Sequence, residues 1–278
     1  MTIIVFHSMA TRLEALCDEL FIELYDYFDI VDLYYSFSNL NYRLNSILQD
    51  RRYLCLHSSL SLVPRQQFYY YFYFVLTQCY SSLKQLTLAE TDDQGDSLRR
   101  CRVFLSVCNL EYFTQLRSLT LTRINLSELK LILTKLITLK QLTCLHLQTG
   151  EIKLESNRND VCRLILCDLT QLKLCTLNFH TFIGFSELPT CSNIEKLTIE
   201  RCFVNDFYSL MMHTPKLQCL NITLFKDKLV PVNDISNLSF SSNLVYLKLY
   251  LYYVPFDNIH QLRSESMPNL KTFILKGS

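Results

Sequence analysis

The chain has 278 residues, of which 49% are hydrophobic and 19% charged, and its formal net charge is +1. This composition supports a sizeable core, and a charge so close to zero gives no reason to expect nucleic acid or an anionic membrane as a partner. Only four glycines are present, whereas phosphate-binding loops need clustered glycines for a close backbone approach. The composition therefore argues against nucleotide-dependent enzymes.

The N-terminus and the cysteines bear on the cellular compartment. The apolar run in the first six residues is shorter than the roughly 7–15 apolar residues of a secretory signal, and no stretch approaches the ~20 apolar residues of a membrane span. The twelve cysteines are scattered and contain no C-x-x-C pair. We therefore expect reduced thiols and a cytoplasmic location, with the nucleus as a second location. A secreted, disulfide-linked ectodomain is the alternative.

Residues 13–50 are predicted to form three short helices. In the first, apolar residues recur at helical spacing, namely Leu16, Leu20, Leu24 and Phe28, with Phe21 and Tyr25 beside them. Asp29 is a candidate N-cap for the second helix and Asn41 for the third. Every charged residue from position 14 to position 32 is acidic. By periodicity alone, these helices would shield the first repeat of a solenoid, as the terminal caps of repeat arrays do.

From residue 83 onward the pattern L-x-x-L-x-L recurs to the end of the chain. Because alternate side chains of a strand point to opposite faces, the fourth and sixth positions face a core, and the third, fifth and seventh face outward. Helical patterns fill the intervals, and residues 53–56 are a candidate first, degenerate strand. Unit starts lie 20 to 33 residues apart, close to the spacing of about 20–29 in leucine-rich repeats. They are Leu83, Leu116, Leu142, Leu174, Ile194, Leu217, Leu244 and Leu270.

One such unit cannot bury its apolar face, whereas a stack of units can. The expected fold class is therefore α/β, a leucine-rich repeat solenoid of strand–helix units preceded by a small three-helix domain. The expected organisation is a flexible tail over residues 1–12, the helical domain over residues 13–55 and the repeat domain over residues 56–278.

The segment Leu16–Phe28, LCDELFIELYDYF, resembles the opening of an F-box, L-P-x-E-[LI]-[LI]-x-x-[IL]-F-x-[YF]-L. The residues that follow, up to position 44, resemble the second and third helices of that family. The sequence departs from the family pattern at Cys17, Tyr25 and Phe28, where proline, phenylalanine and leucine are usual.

The F-box resemblance implies a role and a set of contact residues. It implies that the helices dock on a Skp-type adaptor within a cullin-based ubiquitin ligase, while the repeats hold a protein substrate whose identity the sequence does not supply. The implied adaptor-binding residues are Leu16, Leu20, Phe21, Leu24, Tyr25, Phe28, Leu33 and Leu40. Some of them must instead hold the three helices together. The alternative function is that of an intracellular leucine-rich repeat scaffold whose helices are only a cap.

The outward positions of the strands are predicted to form a protein-binding face, because curved solenoids present extended concave surfaces. Its candidate residues are His146, Asn178, His180, Thr198, Asn221, Tyr246, Lys248 and Tyr250. The tyrosines are the preferred anchors, since aromatic residues dominate interface energetics. No catalytic motif is present, so we expect no enzymatic activity and no cofactor. A metal site at His146 and His180, which would need further ligands, is the alternative for those two residues.

Overall fold

The computed structural model describes residues 15–25, 27–28, 30–38, 40–49, 56–59, 76–81, 83–89, 109–124, 126–149, 158–179, 192–226, 243–255 and 267–277, together with Tyr73, Ser106 and Phe185. Within these residues, nine strands form one parallel sheet in which the strand order follows the sequence. The predicted fold class is confirmed. The chain is an α/β leucine-rich repeat solenoid preceded by three helices.

The elements run in the following order. Three helices come first: α1 (Asp18–Tyr25), α2 (Ile30–Phe37) and α3 (Tyr42–Gln49). The repeats then comprise β1 (Leu56–Ser59), α4 (Leu76–Cys79), β2 (Leu83–Ala89), β3 (Ser118–Ile124), α5 (Leu126–Leu136), β4 (Cys144–Thr149), α6 (Arg158–Arg163), β5 (Leu174–Asn178), β6 (Lys196–Phe203), α7 (Val204–His213), β7 (Cys219–Phe225), β8 (Tyr246–Tyr252) and β9 (Thr272–Gly277). A 3-10 helix, Leu110–Tyr112, precedes β3, and a π-helical segment, Leu164–Asp168, continues α6.

The strand register aligns the core positions of successive repeats. At the fourth position, neighbouring strands pair Leu86, Leu119, Leu145, Cys175, Leu197, Leu220, Leu247 and Phe273 in that order. All of these are buried except Phe273, which is 48% exposed because β9 is the last strand of the sheet. The core therefore consists of stacked leucines, and the predicted alternation between core and surface is confirmed for β3 to β8.

One repeat lies in a different frame from the one predicted. The register pairs Leu145 with Cys175 and Leu147 with Leu177, so this unit begins at Leu172 and not at Leu174. Leu172 is completely buried, whereas Leu174 is partly exposed on the other face. The prediction was wrong by two residues because both leucines start a pattern of the form L-x-x-[LC]-x-[LF]. A shift of two residues preserves strand parity, so residues 175–179 keep their predicted faces, and only Leu174 changes, from the first position of a unit to a third position on the open face.

Helices cover the face of the sheet opposite the open one. In α5, Leu129, Ile132, Leu133 and Leu136 are completely buried, which is the i, i+3, i+4, i+7 stripe of an amphipathic helix. Lys130 on this helix donates a hydrogen bond to Asp160 of α6 over 2.6 Å. In α7, Phe207, Leu210 and Met211 are buried. The predicted helices between strands are thus present here.

The three N-terminal helices are present, and they pack around an aromatic core. The rings of Phe21, Tyr25 and Phe37 lie 5.2–6.5 Å apart between centroids. Arg43 of α3 donates hydrogen bonds to the carboxylate of Asp18 and to the carbonyl of Leu16, over 2.7 and 2.6 Å. These contacts fix α3 against the start of α1.

The predicted caps have different outcomes. Asn41 caps α3, because its side-chain oxygen accepts a hydrogen bond from the backbone N–H of Leu44 over 2.8 Å. Asp29 lies outside the described residues.

The predicted degenerate strand occurs three residues later than expected, at Leu56–Ser59. Helix α2 contacts this strand, and the buried core is continuous from Phe21 to Met267. The proposed domain boundaries remain predictions.

Candidate functional site

The open face of the sheet consists of the third, fifth and seventh positions of the strands. At the fifth position the register brings together Thr87, Thr120, His146, Thr176, Thr198, Asn221, Lys248 and Ile274. All of these side chains are partly exposed, in contrast with the buried leucines beside them. The face is therefore a continuous row of accessible, mostly small polar groups.

A shallow depression of about 480 Å³ lies near the middle of the open face, across β4 to β8. Its lining includes apolar side chains and small polar ones, and two larger residues, Lys196 and Tyr246, stand at third positions among them. The lining residues are His146, Leu174, Cys175, Thr176, Lys196, Leu197, Thr198, Cys219, Leu220, Asn221 and Tyr246. The depression lies where the fifth positions of β5, β6 and β7 carry the small polar residues Thr176, Thr198 and Asn221.

His146 forms a polar pair inside the open face. Its Nε2 atom lies 3.1 Å from Cys144 Sγ, and partial burial lowers the pKa of the His146 imidazole from its usual value. Burial of an imidazole disfavours its charged form, so His146 is a neutral hydrogen-bonding group near pH 7. Among the residues that the structure describes, no cluster of three potential metal ligands occurs. His180, the other histidine of the predicted pair, lies outside those residues.

A cationic and aromatic cluster lies next to the depression, on β8 and β9. The Lys248 ammonium stands 4.8 Å from the centroid of the Tyr250 ring, and that of Lys276 stands 5.7 Å from the same centroid. A hydrogen bond with Tyr250 raises the pKa of Lys248, and the same hydrogen bond lowers the pKa of the Tyr250 hydroxyl. Tyr250 therefore lies between two positive charges.

Aromatic residues continue beyond this cluster at the C-terminal ends of β7 and β8. The rings of Phe225 and Tyr252 lie 4.9 Å apart, and those of Tyr252 and Tyr253 lie 4.5 Å apart. Tyr253 has a φ of 56°, a left-handed conformation that is uncommon for a bulky residue. Tyr252 and Tyr253 are exposed, so the surface from Tyr246 to Tyr253 combines exposed rings with lysines.

The two halves of the open face differ in charge. From β2 to β5, the third, fifth and seventh positions carry no charged side chain. From β6 to β9, the same positions carry Lys196, Lys248 and Lys276 against one carboxylate, Glu200. No ion pair with a carboxylate is formed by these three lysines anywhere in the part of the chain that the structure describes. Among the described residues, the second half of the face therefore carries a net positive charge.

The structure places seven of the eight predicted substrate-binding residues on the open face. His146, Thr198, Asn221 and Lys248 hold the fifth position as predicted. Asn178 pairs with Gln148 and so holds a seventh position instead of a fifth, which follows from the frame of its repeat. Tyr246 and Tyr250 hold a third and a seventh position on β8. His180 is not among the described residues.

Seven lining residues were not among the predicted site candidates: Lys196, Leu197, Cys219 and Leu220, and the three residues Leu174, Cys175 and Thr176 of the unit whose frame was wrong. For the last three, the signal was present in the sequence, because Leu172, Cys175 and Leu177 satisfy the repeat pattern if a cysteine is accepted at its fourth position. Lys276 was also missed, although its position on the last unit places it on the open face.

The three-helix unit separates the predicted adaptor-binding residues into two groups. Phe21, Tyr25 and Leu33 are buried, and Leu16 and Leu24 are partly buried against the core. These residues hold the helices together. Leu20, Phe28 and Leu40 are 47%, 38% and 56% exposed. Only the second group is available to a partner.

Further apolar surface surrounds this exposed group. Tyr27, Tyr35 and Tyr42 are all strongly exposed. The Phe28 ring packs edge-on against Phe37 at 5.6 Å, and Leu40 follows Phe37 by three residues, a chain length of at most about 11 Å. Phe28 and Leu40 therefore lie at the same end of the helical unit. We call the set Leu20, Tyr27, Phe28, Tyr35, Leu40 and Tyr42 the exposed helical surface.

Comparisons with known proteins give limited information. No protein-family model and no curated protein matches the chain. Among solved structures, the chain is similar to internalin C2 from Listeria monocytogenes, with 17% identity and a TM-score of 0.39 over 71% of this chain and 82% of that one. The leucine-rich repeat fold follows from the strand order and register and does not depend on this similarity. No helix in the described part of the chain is long and apolar enough to cross a bilayer.

Proposed function

We propose that the chain is a substrate-recognition subunit of a cullin-based ubiquitin ligase. The three N-terminal helices dock on a Skp-type adaptor, and the open face of the repeats holds the protein substrate. The proposal requires no catalytic group and no cofactor in this chain, because the ligase's other subunits perform the chemistry. It places the protein in the cytoplasm or the nucleus.

The exposed helical surface is the observation that carries the proposal. A helical unit that only caps a repeat array needs a polar outer face to keep the array soluble. Here the helices bury Phe21, Tyr25 and Leu33 and still expose two leucines and four aromatic residues. Exposed apolar side chains in this number on so small a unit are typical of a surface that binds another protein. The surface coincides with the segment that resembles an F-box.

The charges on the helical unit indicate which kind of partner surface would complement it. Asp18, Glu19, Glu23 and Asp32 are exposed on α1 and α2, and Arg43 is engaged with Asp18. The helical unit therefore presents apolar groups among carboxylates. The partner surface that complements it is apolar with basic residues at its rim, because complementary charges fix orientation and raise the association rate.

Adaptor docking is tested by co-expression of the full chain with a Skp-type adaptor from the same organism. The double variant Leu20→Ala/Leu40→Ala should reduce adaptor binding about tenfold or more, because two leucines lose the burial that docking gives them. The matched control is Leu131→Ala, an equally exposed leucine on α5 (51% exposed), which should bind the adaptor normally.

Thermal melts of the three proteins should agree within a few degrees, which separates lost binding from lost folding. Wild-type binding that persists in Leu20→Ala/Leu40→Ala would contradict docking through the exposed helical surface. A wild-type chain that does not bind the adaptor at all would contradict the ligase assignment.

The second candidate function is a leucine-rich repeat scaffold whose helices act as a cap. The continuity of the core from the helices into the repeats favours it, as does the contact of α2 with β1. In that case the open face still binds a protein, but no adaptor copurifies with the wild-type chain. The co-expression experiment therefore separates the two functions directly.

A further inference from the structure

The open face carries enough chemical detail to define the kind of peptide it takes, given the substrate-binding role proposed above for the repeats. Two features adjoin one another: the depression across β4 to β8, and the cluster of Lys248, Tyr250 and Lys276. Tyr246 belongs to both regions, since it lines the depression and lies two residues before Lys248 on the same strand. A single bound segment can therefore occupy the two features together.

The depression suits an apolar side chain. Its accessible lining is mainly apolar and includes the partly exposed Leu174 side chain, with threonine and cysteine side chains beside it. The Tyr246 ring flanks the depression, and a ring in that position adds apolar contact area at a low cost in conformational entropy. His146, which also lines the depression, is neutral near pH 7 because burial lowers its pKa.

The lysine cluster suits carboxylates. Lys248 and Lys276 lie 4.8 and 5.7 Å from the same tyrosine ring. No described carboxylate pairs with either ammonium group. Both ammonium groups lie against the same ring, so a peptide carboxylate placed there can accept charge-assisted hydrogen bonds from them. The Tyr250 hydroxyl adds a hydrogen-bonding group at the same point.

The spacing of the charges gives a length to the bound segment. Lys196 lies on β6 and Lys276 on β9, three strand intervals apart in the sheet. Neighbouring strands are about 4.8 Å apart, and the third position of Lys196 and the seventh position of Lys276 differ by four residues along the strands, so the two residues are about 20 Å apart. An extended chain rises about 3.3 Å per residue, and about six residues of a segment that crosses the strands obliquely cover this distance.

We propose that the open face binds an extended acidic peptide segment, which places one apolar side chain in the depression and carboxylates over Lys248 and Lys276. The segment belongs to another protein, and its glutamate or aspartate residues lie within about six residues of the apolar one. The uncharged half of the face, from β2 to β5, takes no part in selecting these carboxylates.

The proposal is tested by fluorescence polarisation with the full chain and a labelled peptide that has one phenylalanine flanked on both sides by glutamates. Two further probes carry glutamines in place of the glutamates, or serine in place of the phenylalanine. The first probe should bind at least about tenfold more tightly than either of the others. Its affinity should also fall with added salt, because exposed charges are screened.

Two pairs of variants assign the binding to the surface. The double variant Lys248→Glu/Lys276→Glu should lower the affinity for the acidic probe about tenfold or more. The control Lys140→Glu/Lys216→Glu makes the same change in net charge away from the open face, and it should have little effect on that affinity. Thr198→Phe fills the depression and should remove the preference for phenylalanine over serine. Thr87→Phe, at the fifth position of β2, is its matched control and should retain that preference.

Each other outcome overturns the inference. Equal binding of the glutamate and glutamine probes, or equal loss in the two double-lysine variants, would show that these lysines do not select carboxylates. If a single-stranded oligouridylate binds more tightly than the peptide, and if Lys248→Glu/Lys276→Glu abolishes that binding, the surface would be assigned to nucleic acid. Adaptor binding uses Leu20 and Leu40 and is measured separately, so failure here leaves the ligase assignment standing.

Discussion

The repeats and the N-terminal helices are both rich in leucine and aromatic residues, but they distribute them in opposite ways. In β3 to β8, the fourth and sixth positions are buried and the fifth is a polar or charged residue. In α1 to α3, apolar residues occur inside the unit and on its surface, as Phe21 and Leu20 illustrate. The repeats therefore use apolar residues for stability, whereas the helices use them for stability and for an exposed surface.

The difference has a geometric origin. A strand has only two faces, and the repeat stack covers one of them completely, so parity decides exposure. A helix has a continuous circumference, and an eight-residue helix presents little more than two turns. Three such helices bury only part of their apolar side chains. Exposure within the helical unit is therefore decided by packing, which the sequence period does not specify.

Two adjacent substitutions in α1 test most directly which apolar residues of the helical unit are buried and which are exposed. Phe21→Ala removes a completely buried ring that contacts Tyr25 and Phe37, and it should destabilise the helical unit by about 3–5 kcal/mol. Leu20→Ala removes a side chain that is nearly half exposed, and it should cost about 1 kcal/mol or less. Urea denaturation followed by far-UV circular dichroism measures both. Similar losses in the two variants would mean that the buried and exposed sets were assigned wrongly.

The corresponding pair of substitutions in the repeats lies on β7. Leu220 is completely buried between Leu197 and Leu247, so Leu220→Ala should cost about 2–5 kcal/mol. Its neighbour Asn221 faces the open side, and Asn221→Ala should change the free energy of unfolding by less than about 1 kcal/mol. The same denaturation measurement applies. If Asn221→Ala is the more damaging of the two, the strand has the opposite parity and the open face is formed by other residues.

A third pair tests the frame of β5. Leu172 is completely buried, while Leu174 is partly exposed and lines the depression. Leu172→Ala should therefore destabilise by about 2–4 kcal/mol, and Leu174→Ala by about 1 kcal/mol or less. Thermal melts of both variants suffice. The reverse order would restore the repeat start at Leu174 and would return the fifth position of this unit to Asn178.

The sequence alone predicted the repeat fold because its signal is redundant. Seven of the eight predicted unit starts, including Leu116 and Leu217, lie in the observed frame, and each confirms the others. The eighth was ambiguous because Leu172 and Leu174 both fit the pattern. Pairing with the neighbouring parallel strand decides between the two leucines. This pairing belongs to the tertiary structure and cannot be read from the repeat pattern.

The sequence predicted which residues lie on the open face, but it did not predict the depression in that face. Parity placed His146, Asn221 and Lys248 on the open face correctly. The depression beside them depends on side-chain size across five neighbouring strands, and its lining includes residues from a unit whose frame was uncertain. The clustering of Lys248 and Lys276 around Tyr250 depends on rotamers. No pattern along one strand encodes either feature.

The helical unit shows the same limit, since eight adaptor-binding residues were implied by resemblance and only packing sorts them. Phe21, Tyr25 and Leu33 are buried, whereas Leu20, Phe28 and Leu40 are exposed. Periodicity placed Leu16, Leu20, Leu24 and Phe28 on one stripe, yet the structure divides that stripe between partly buried and exposed residues. The adaptor itself remains part of the proposed function.

The smallest expected effect concerns a single oxygen atom in the helical unit, where this sequence has Tyr25 in place of the phenylalanine usual for an F-box. The Tyr25 side chain is buried, its hydroxyl has no hydrogen-bond partner among the described residues, and burial raises the pKa of this hydroxyl to about 12. A buried polar group without a partner is destabilising. Tyr25→Phe removes the hydroxyl and keeps the ring contacts with Phe21 and Phe37.

This substitution should stabilise the helical unit by about 1 kcal/mol, measured as an increase in the free energy of unfolding in urea. Tyr208→Phe on α7 is the comparison within the repeats. Burial also raises the pKa of Tyr208, to about 12, but in the described part of the chain its hydroxyl is not one of the buried polar groups that lack a hydrogen-bond partner, so its replacement should not stabilise the protein. A loss of stability in Tyr25→Phe would mean that the hydroxyl is hydrogen-bonded in solution. The different effects expected for the two tyrosines test whether the unpaired hydroxyl of Tyr25, and not the burial of a tyrosine as such, lowers stability.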